Sequence, residues 1–273
     1  IIPARYVSSR LEGKPLLKVM GKSVIHWVYE KAQQAKLADI IIVATDDKRI
    51  YDEVKSFGGE VEMTSVEHKC GSDRIMEVVS RHPEISYICN LQGDEPLIKP
   101  ESIDDVIRNV KEDDNADIST LIRVLTNEEE INNPNLVKCV TDRNGFALYF
   151  SRSKIPYERN SGIATFYGHL GIYGYKRKAL EAMTTLAQTP LERTESLEQL
   201  RALENGMKIK TSVVDFVPVG IDTREDLEKF KQILDLLEII KVQFQKYSEL
   251  KDLRKFAEQI PFAIYYDIPY VSG

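Results

Sequence analysis

The stretch Ile1 to Leu17, IIPARYVSSRLEGKPLL, sets Arg5, Arg10 and Lys14 among the hydroxyls of Ser8 and Ser9 and the flexible Gly13, behind two apolar residues and Pro3. Guanidinium forks, an ammonium and free backbone N–H groups all bind anionic oxygen, so a strand stub feeding such a loop can wrap a polyphosphate. A solvated basic turn is the other reading of the same residues. The stretch matches neither the glycine fingerprint of dinucleotide sites nor the Walker phosphate loop. A cation for bound phosphates is suggested further along. Asp94, in QGDEP, directly follows the apolar run 87–91 and is flanked by a glycine and stiffened by Pro96. That placement suits a ligand of Mg²⁺, which takes one or two carboxylates with waters and substrate phosphates, although aspartate also serves in plain turns. Asp222, in PVGIDT, stands at a second junction, where Thr223 is the better helix cap and leaves Asp222 free. Two such carboxylates on one sheet edge can hold a divalent metal between them.

The elements that must position these groups read as an α/β fold. Ser23 caps a helix to about Ala35, and Ile40 to Ala44 is an apolar strand ending in Thr45, Asp46 and Asp47. A helix 48–57 closed by Gly58 and Gly59 and a strand 60–63 complete a β-α-β-α-β rhythm, the mark of a doubly wound parallel sheet whose sites lie at the carboxyl ends of its strands. HKCGSDR then opens a helix, where Gly71, Ser72 and Arg74 make a second anion or base contact, or else Ser72 caps and Arg74 is at the surface. A helix 100–115 and a strand 117–124 follow. Asn144-Gly145 between the apolar runs 136–141 and 146–151 is a hairpin signal, so a smaller antiparallel lobe follows the parallel half. Arg152 and Lys154 leave that hairpin, and a glycine-rich strand 168–175 carries His169, Tyr173 and Tyr175. These residues line a second pocket or are core. The span 190–205 reads as one helix with Glu192, Glu195, Glu198 and Gln199, its carboxylates mostly a solvated face. After the strand 208–214 and a helix from Arg224, the tail shows a polar helical piece 248–259 and no motif.

At 273 residues the chain can bury a sizeable core, and Lys+Arg 37 against Asp+Glu 43 leaves no bulk basic charge for nucleic acid or a membrane surface. Three scattered cysteines draw neither a disulfide framework nor a metal spacing, as suits a reducing cytosol. No apolar run reaches membrane-span length, and no signal peptide is visible. The first residue is not Met and lies inside a strand-like run, so a few residues are expected to precede it.

Read together, IIPARYVSSRLEGKPL, HKCGSDR, NLQGDEP, ALYFSRSKIP, HLGIYGY, LEQLRALENG and GIDTREDL resemble the 3-deoxy-manno-octulosonate cytidylyltransferases, the CMP-Kdo synthetases, in order from Ile1 to about Leu237. The resemblance implies a Rossmann-like nucleotidyltransferase fold, mostly parallel with a smaller antiparallel lobe at about 134–190 that serves the sugar site and a homodimer. It implies a cytoplasmic enzyme, with Mg²⁺, that joins CTP and Kdo into CMP-Kdo and pyrophosphate for lipopolysaccharide. Arg5, Ser8, Arg10 and Lys14 would hold CTP, with Gly71, Ser72, Arg74 and Gln92; Arg10 and Lys14 also belong to the catalytic set. Asp94 and Asp222 would hold one or two metal ions, and Arg152, His169, Tyr173, Glu198 and Gln199 the sugar. The chain departs from the family at Glu12, commonly proline, and at Cys70, commonly a small hydroxyl residue. Residues 1–237 then form the cytidylyltransferase domain and 238–273 an extension of unknown role. A cytidylyltransferase for 8-amino-Kdo or a sialic acid, or a non-catalytic nucleotide binder, are the alternatives.

Overall fold

The computed structural model describes residues 1–247 except Ser9, Lys69 and Pro218, with side chains described to Ile240. The Ser9 hydroxyl and the polar helix expected at 248–259 therefore lie outside the described residues. The chain opens with β1 (Ile2–Ala4), a tight turn at Lys14–Leu16, and the short antiparallel pair β2 (Lys18–Val19) and β3 (Lys22–Ser23). Ser23 then caps α1 (Val24–Ala32), accepting the His26 N–H at 3.3 Å. Two further units follow: β4 (Val43–Thr45) with α2 (Lys48–Ser56), then β5 (Val61–Met63) with α3 (Gly71–Arg81). Next come β6 (Tyr87–Asn90), α4 (Pro100–Glu112), β7 (Ile118–Leu125) and α5 (Glu128–Asn132). The hairpin β8 (Lys138–Thr141) and β9 (Ala147–Ser151) leads to the long β10 (Phe166–Lys176). The chain continues through α6 (Arg177–Thr185), α7 (Pro190–Glu195), α8 (Gln199–Glu204), β11 (Ile209–Val214) and α9 (Arg224–Tyr247).

β1 pairs parallel with β4, and β4 with β5. On the other side of β1, the Ile1 nitrogen donates to the Cys89 carbonyl at 2.7 Å and the Leu91 N–H to the Ile1 carbonyl at 3.1 Å, the pattern of parallel neighbours. The spatial order is thus β5-β4-β1-β6-β10-β7-β11. β10 runs antiparallel between β6 and β7, and β11 returns parallel to β7. The hairpin does not stand apart from this sheet: Lys138 and Cys139 of β8 pair with Gly168 and Tyr167 of β10. One strand therefore carries residues of both halves of the molecule.

Apolar side chains of α1, α2 and α4 close over the parallel half, where Ile2, Ile25, Val28, Val43, Val54, Val106 and Leu121 are buried together. Each such residue contributes about 1.5–3 kcal/mol of burial. α4 lies so close to β10 that a Cβ on Gly174 would fall well inside contact distance of the Val106 carbonyl and Ser119 Oγ. The Ser119 hydroxyl itself donates to that carbonyl at 2.6 Å. Gly174→Ala is expected to cost at least about 3 kcal/mol, the upper end of overpacking, read as the loss of melting temperature or of soluble yield.

The helix expected over 190–205 is two helices. Ser196 breaks it in the left-handed region at φ 53°, although no Gly or Pro falls between α7 and α8. The break turns Glu192, Glu195 and Glu198 in different directions. No helix among the described residues is long and apolar enough to cross a membrane.

Candidate active site

β1, β4 and β6 end at one edge of the sheet, and their carboxyl-end loops form the first part of the site. Arg5, Ser8, Lys14, Gly71, Arg74, Gln92 and Asp94 line one cavity of about 350 Å³ there. The expected phosphate loop and the two later motifs therefore meet. The Arg5 guanidinium donates to the His68 carbonyl, which ties the opening loop to the turn before α3. Ser8 accepts the Leu11 N–H at 3.5 Å.

A small apolar cluster carries Asp222 to the same place. Ile221, Phe230 and Leu234 pack with Leu11, Val19 and Val24, so the start of α9 rests against the opening loop. The Ile221 N–H donates to the Asp94 carbonyl at 2.9 Å. Thr223 caps α9 by accepting the Asp226 N–H at 3.2 Å, and the Asp226 carboxylate accepts the Thr223 N–H in return at 2.9 Å. Asp222 is thus left free of the cap, as its sequence position suggests. Lys14 Nζ reaches Asp94 Oδ2 at 2.5 Å and Asp222 Oδ1 at 3.1 Å, and Arg10 reaches Asp222 Oδ2 at 3.0 Å. Two carboxylates from segments far apart in the chain converge on one cation.

That donor set fits Mg²⁺ bound with substrate phosphates. Among the described residues no group of three or more His, Cys, Asp or Glu side chains forms a metal cage, which leaves the remaining coordination to water and ligand oxygens. Glu95 follows Asp94, but burial, and then the charges of Asp94 and Asp222, push its carboxyl up to about 8.

Arg74 departs from the surface position that capping by Ser72 would have given it. Its side chain is fully buried; it donates to Asp46 Oδ2 at 2.6 Å and to Thr64 Oγ1, and its Nε is buried without a partner. Desolvating a guanidinium requires such partners, and Asp46 and Thr64 supply them from the ends of β4 and β5. Ser72 does not cap α3 either: Cys70 holds the cap position with no side-chain bond, and the buried Ser72 hydroxyl faces Tyr175 and Glu198. Gln92 Nε2 donates to Asn90 Oδ1 and the Gly171 carbonyl, both at 3.4 Å.

The second group lies where β8, β9 and β10 meet α7 and α8. Register pairs Lys138 with both Ser151 and Gly168, so Arg152 and His169 follow on the strands either side of it. Arg152 is held from several sides. Its Nε donates to the Glu195 carbonyl at 2.7 Å, and its Nη groups to Pro134 O at 3.1 Å and Ser196 O at 3.4 Å. Glu195 also accepts from the Ser151 hydroxyl at 2.6 Å and the Arg152 N–H at 3.0 Å. The carboxylates of this region are not a solvated face. Glu192 is buried in a two-pronged pair with Arg201, and desolvation raises the Glu198 carboxyl above its usual range.

His169 Nε2 lies 2.9 Å from Thr120 Oγ1, with the Phe150 and Tyr173 rings at 5.0 and 5.4 Å. Burial pulls its pKa down to about 3, so the ring is neutral near pH 7. The Thr120 hydroxyl has carbonyls at 2.8 and 3.0 Å to take its proton, so His169 Nε2 donates and Nδ1 is left as an acceptor. Desolvation raises the Tyr173 and Tyr175 phenols, and the Glu198 charge adds to the rise in both. Gln199 is buried behind Glu198. Cys70 Sγ contacts Glu198 Oε1 at 3.8 Å and also lies in the turn before α3, bridging the two groups. The partners that hold Arg74, His169 and Arg152 were not assigned from the sequence: Asp46 was read only as a strand-end residue and Glu195 as part of a mostly solvated face, and Thr64 and Thr120 drew no reading. Only Asp46, polar at the end of an apolar strand, carried a signal.

The cytidylyltransferase family matches residues 1–209. A 3-deoxy-manno-octulosonate cytidylyltransferase of Fusobacterium nucleatum is 52% identical over 84% of this chain and 93% of its own length. One from Thermodesulfovibrio yellowstonii is 48% identical over 86% and 97%. Among solved structures, a CMP:2-keto-3-deoxy-manno-octonic acid synthetase complexed with CTP superposes with TM-score 0.83 and 41% identity, covering 86% of this chain and 97% of that one. With the fold, the paired aspartates and the loop cations in the same chain, the protein belongs to the cytidylyltransferase family, among its 3-deoxy-manno-octulosonate cytidylyltransferases.

Proposed function

We propose that the chain transfers CMP from CTP to the anomeric hydroxyl of 3-deoxy-D-manno-octulosonate (Kdo), releasing pyrophosphate, and so supplies CMP-Kdo for lipopolysaccharide. The observation that carries this reading is the convergence of Lys14, Asp94 and Asp222 beside the loop cavity. Arg5, Arg10, Lys14 and the Ser8 hydroxyl receive the triphosphate, with Lys14 and Arg10 neutralising charge that grows on the departing pyrophosphate. The Arg74 Nε, buried and unpaired, donates to the nucleotide, with Gly71 and Gln92 completing that wall; the Ser72 hydroxyl, turned to Tyr175 and Glu198, stands behind it.

Asp94 and Asp222 would hold Mg²⁺, which would polarise the α-phosphate. Arg152 binds the sugar carboxylate with the two guanidinium N–H groups that its carbonyl partners leave free. His169, through Nδ1, and Tyr173 bind sugar hydroxyls; Glu198 and Gln199 close that pocket. The anomeric hydroxyl then meets the α-phosphorus in line, and positioning rather than a covalent protein intermediate supplies the rate. We assign the catalytic unit to residues 1–237, acting as a homodimer in the cytoplasm, on the strength of the family resemblance. Residues 238–273 are an extension with no assigned role.

Mixing the protein with Mg²⁺, CTP and Kdo should release pyrophosphate stoichiometric with CMP-Kdo, and omission of any one should abolish it. Faster turnover with 8-amino-Kdo or a sialic acid would reassign the sugar. No pyrophosphate with any acid sugar would sink the enzymatic reading.

A further inference from the structure

Lys14 can bridge the two aspartates only if the loop delivers its ammonium to one place, and an element outside the cavity fixes that delivery. Gly13 is left-handed, at φ 69°. Its N–H donates to the Tyr6 carbonyl at 2.9 Å, and a Cβ on it would come within 3.1 Å of the Tyr6 ring. The tyrosine ring thus packs against the backbone immediately before Lys14. Arg49, in the first turn of α2, lays its guanidinium 3.3 Å from the centroid of the same ring. Asp47, the α2 cap, holds that guanidinium from Nε at 2.9 Å and Nη2 at 2.7 Å, which fixes its plane. Glu12, next to Gly13, adds its attraction to the Arg49 charge. None of Asp47, Arg49 and Tyr6 lines the phosphate cavity.

We propose that Asp47, Arg49 and Tyr6 are a positioning clamp: α2 sets Tyr6, Tyr6 sets the turn at Gly13, and that turn places Lys14 between Asp94 and Asp222. The inference rests on the nucleotide-binding reading of the loop and adds the residues that pre-organise it. A held loop loses less freedom when the triphosphate arrives, so the clamp acts on nucleotide affinity. It has no contact with the sugar pocket, so Kdo affinity is independent of it.

The test compares Arg49→Ala, Arg49→Lys, Tyr6→Ala and the Arg49→Ala/Tyr6→Ala double variant by KM for each substrate and by calorimetric titration of CTP. Loss of a partly exposed cation–π contact is worth about fivefold, so Arg49→Ala should raise KM and Kd for CTP about fivefold and leave KM for Kdo and the melting temperature as they were. Arg49→Lys, a cation without the planar fork, should recover part of the loss. The double variant should bind CTP no worse than Tyr6→Ala alone, since Arg49 acts through the ring. An unchanged KM for CTP in Arg49→Ala, equal rises for both substrates, or losses that multiply in the double variant would each overturn the clamp. A wild-type protein that releases no pyrophosphate would instead overturn the functional reading on which the clamp rests.

Discussion

Asp94→Asn is expected to lower kcat by about 10³-fold while KM for CTP moves by no more than about threefold. The substitution keeps the side chain's shape and removes one negative charge from the pair that converges on Lys14 Nζ. On the proposed reading Arg5, Arg10 and Lys14 remain to hold the triphosphate, and losing a nearby carboxylate reduces repulsion of its phosphates. Ground-state binding is therefore nearly preserved. What is lost is charge stabilisation at the α-phosphate that grows only in the transition state, and 10³-fold there corresponds to about 4 kcal/mol. Asp222→Asn should follow the same pattern, with an added rise in KM because Arg10 loses its partner at 3.0 Å. Steady-state kinetics at saturating Mg²⁺ check both. Near-normal turnover in Asp94→Asn would remove this residue from the metal pair, and a loss confined to KM would make it a nucleotide contact only.

How much of this was legible in the sequence depends on the reach of each interaction. The loop cations were legible because Arg5, Arg10 and Lys14 lie within ten residues of one another, and Ser23 as a cap because its partner is three residues away. The approach of Asp222 to Asp94 was not, because it depends on Ile221 packing against Leu11 and Phe230 and on a backbone bond across the sheet edge. Arg74 could be read as a surface residue because its two partners, Asp46 and Thr64, lie on other strands. The break at Ser196 defeats local propensity altogether. Leu, Glu and Arg between 191 and 204 all favour one helix, and tertiary bonds win: Glu192 is drawn to Arg201, and Glu195 to Ser151 and Arg152. The antiparallel course of β10 was legible from the Asn144-Gly145 hairpin before it, but its place between β6 and β7 was not, being set by the strands on either side.

Arg152→Ala is expected to raise KM for Kdo by about 10²-fold with KM for CTP unchanged. The guanidinium already spends three N–H groups on the carbonyls of Glu195, Pro134 and Ser196, so its plane is set before the sugar arrives and two donors remain for the sugar carboxylate. Lys138 fixes the backbone beneath it, donating to the Arg152 carbonyl at 2.7 Å and to Asn133 and Leu136 as well. A carboxylate brought into this corner without its cation loses about 2–4 kcal/mol, because the cost of desolvating the charge is no longer offset. Arg152→Lys should recover little: an ammonium cannot make three carbonyl bonds and still offer a parallel pair of donors. A melting temperature close to wild type in Arg152→Lys would separate this loss from disruption of the Ser196 turn. If Arg152→Ala held KM for Kdo within about threefold of wild type, the carboxylate would have to bind elsewhere. Equal rises for CTP and Kdo would show that the hairpin exit supports the whole site rather than the sugar alone.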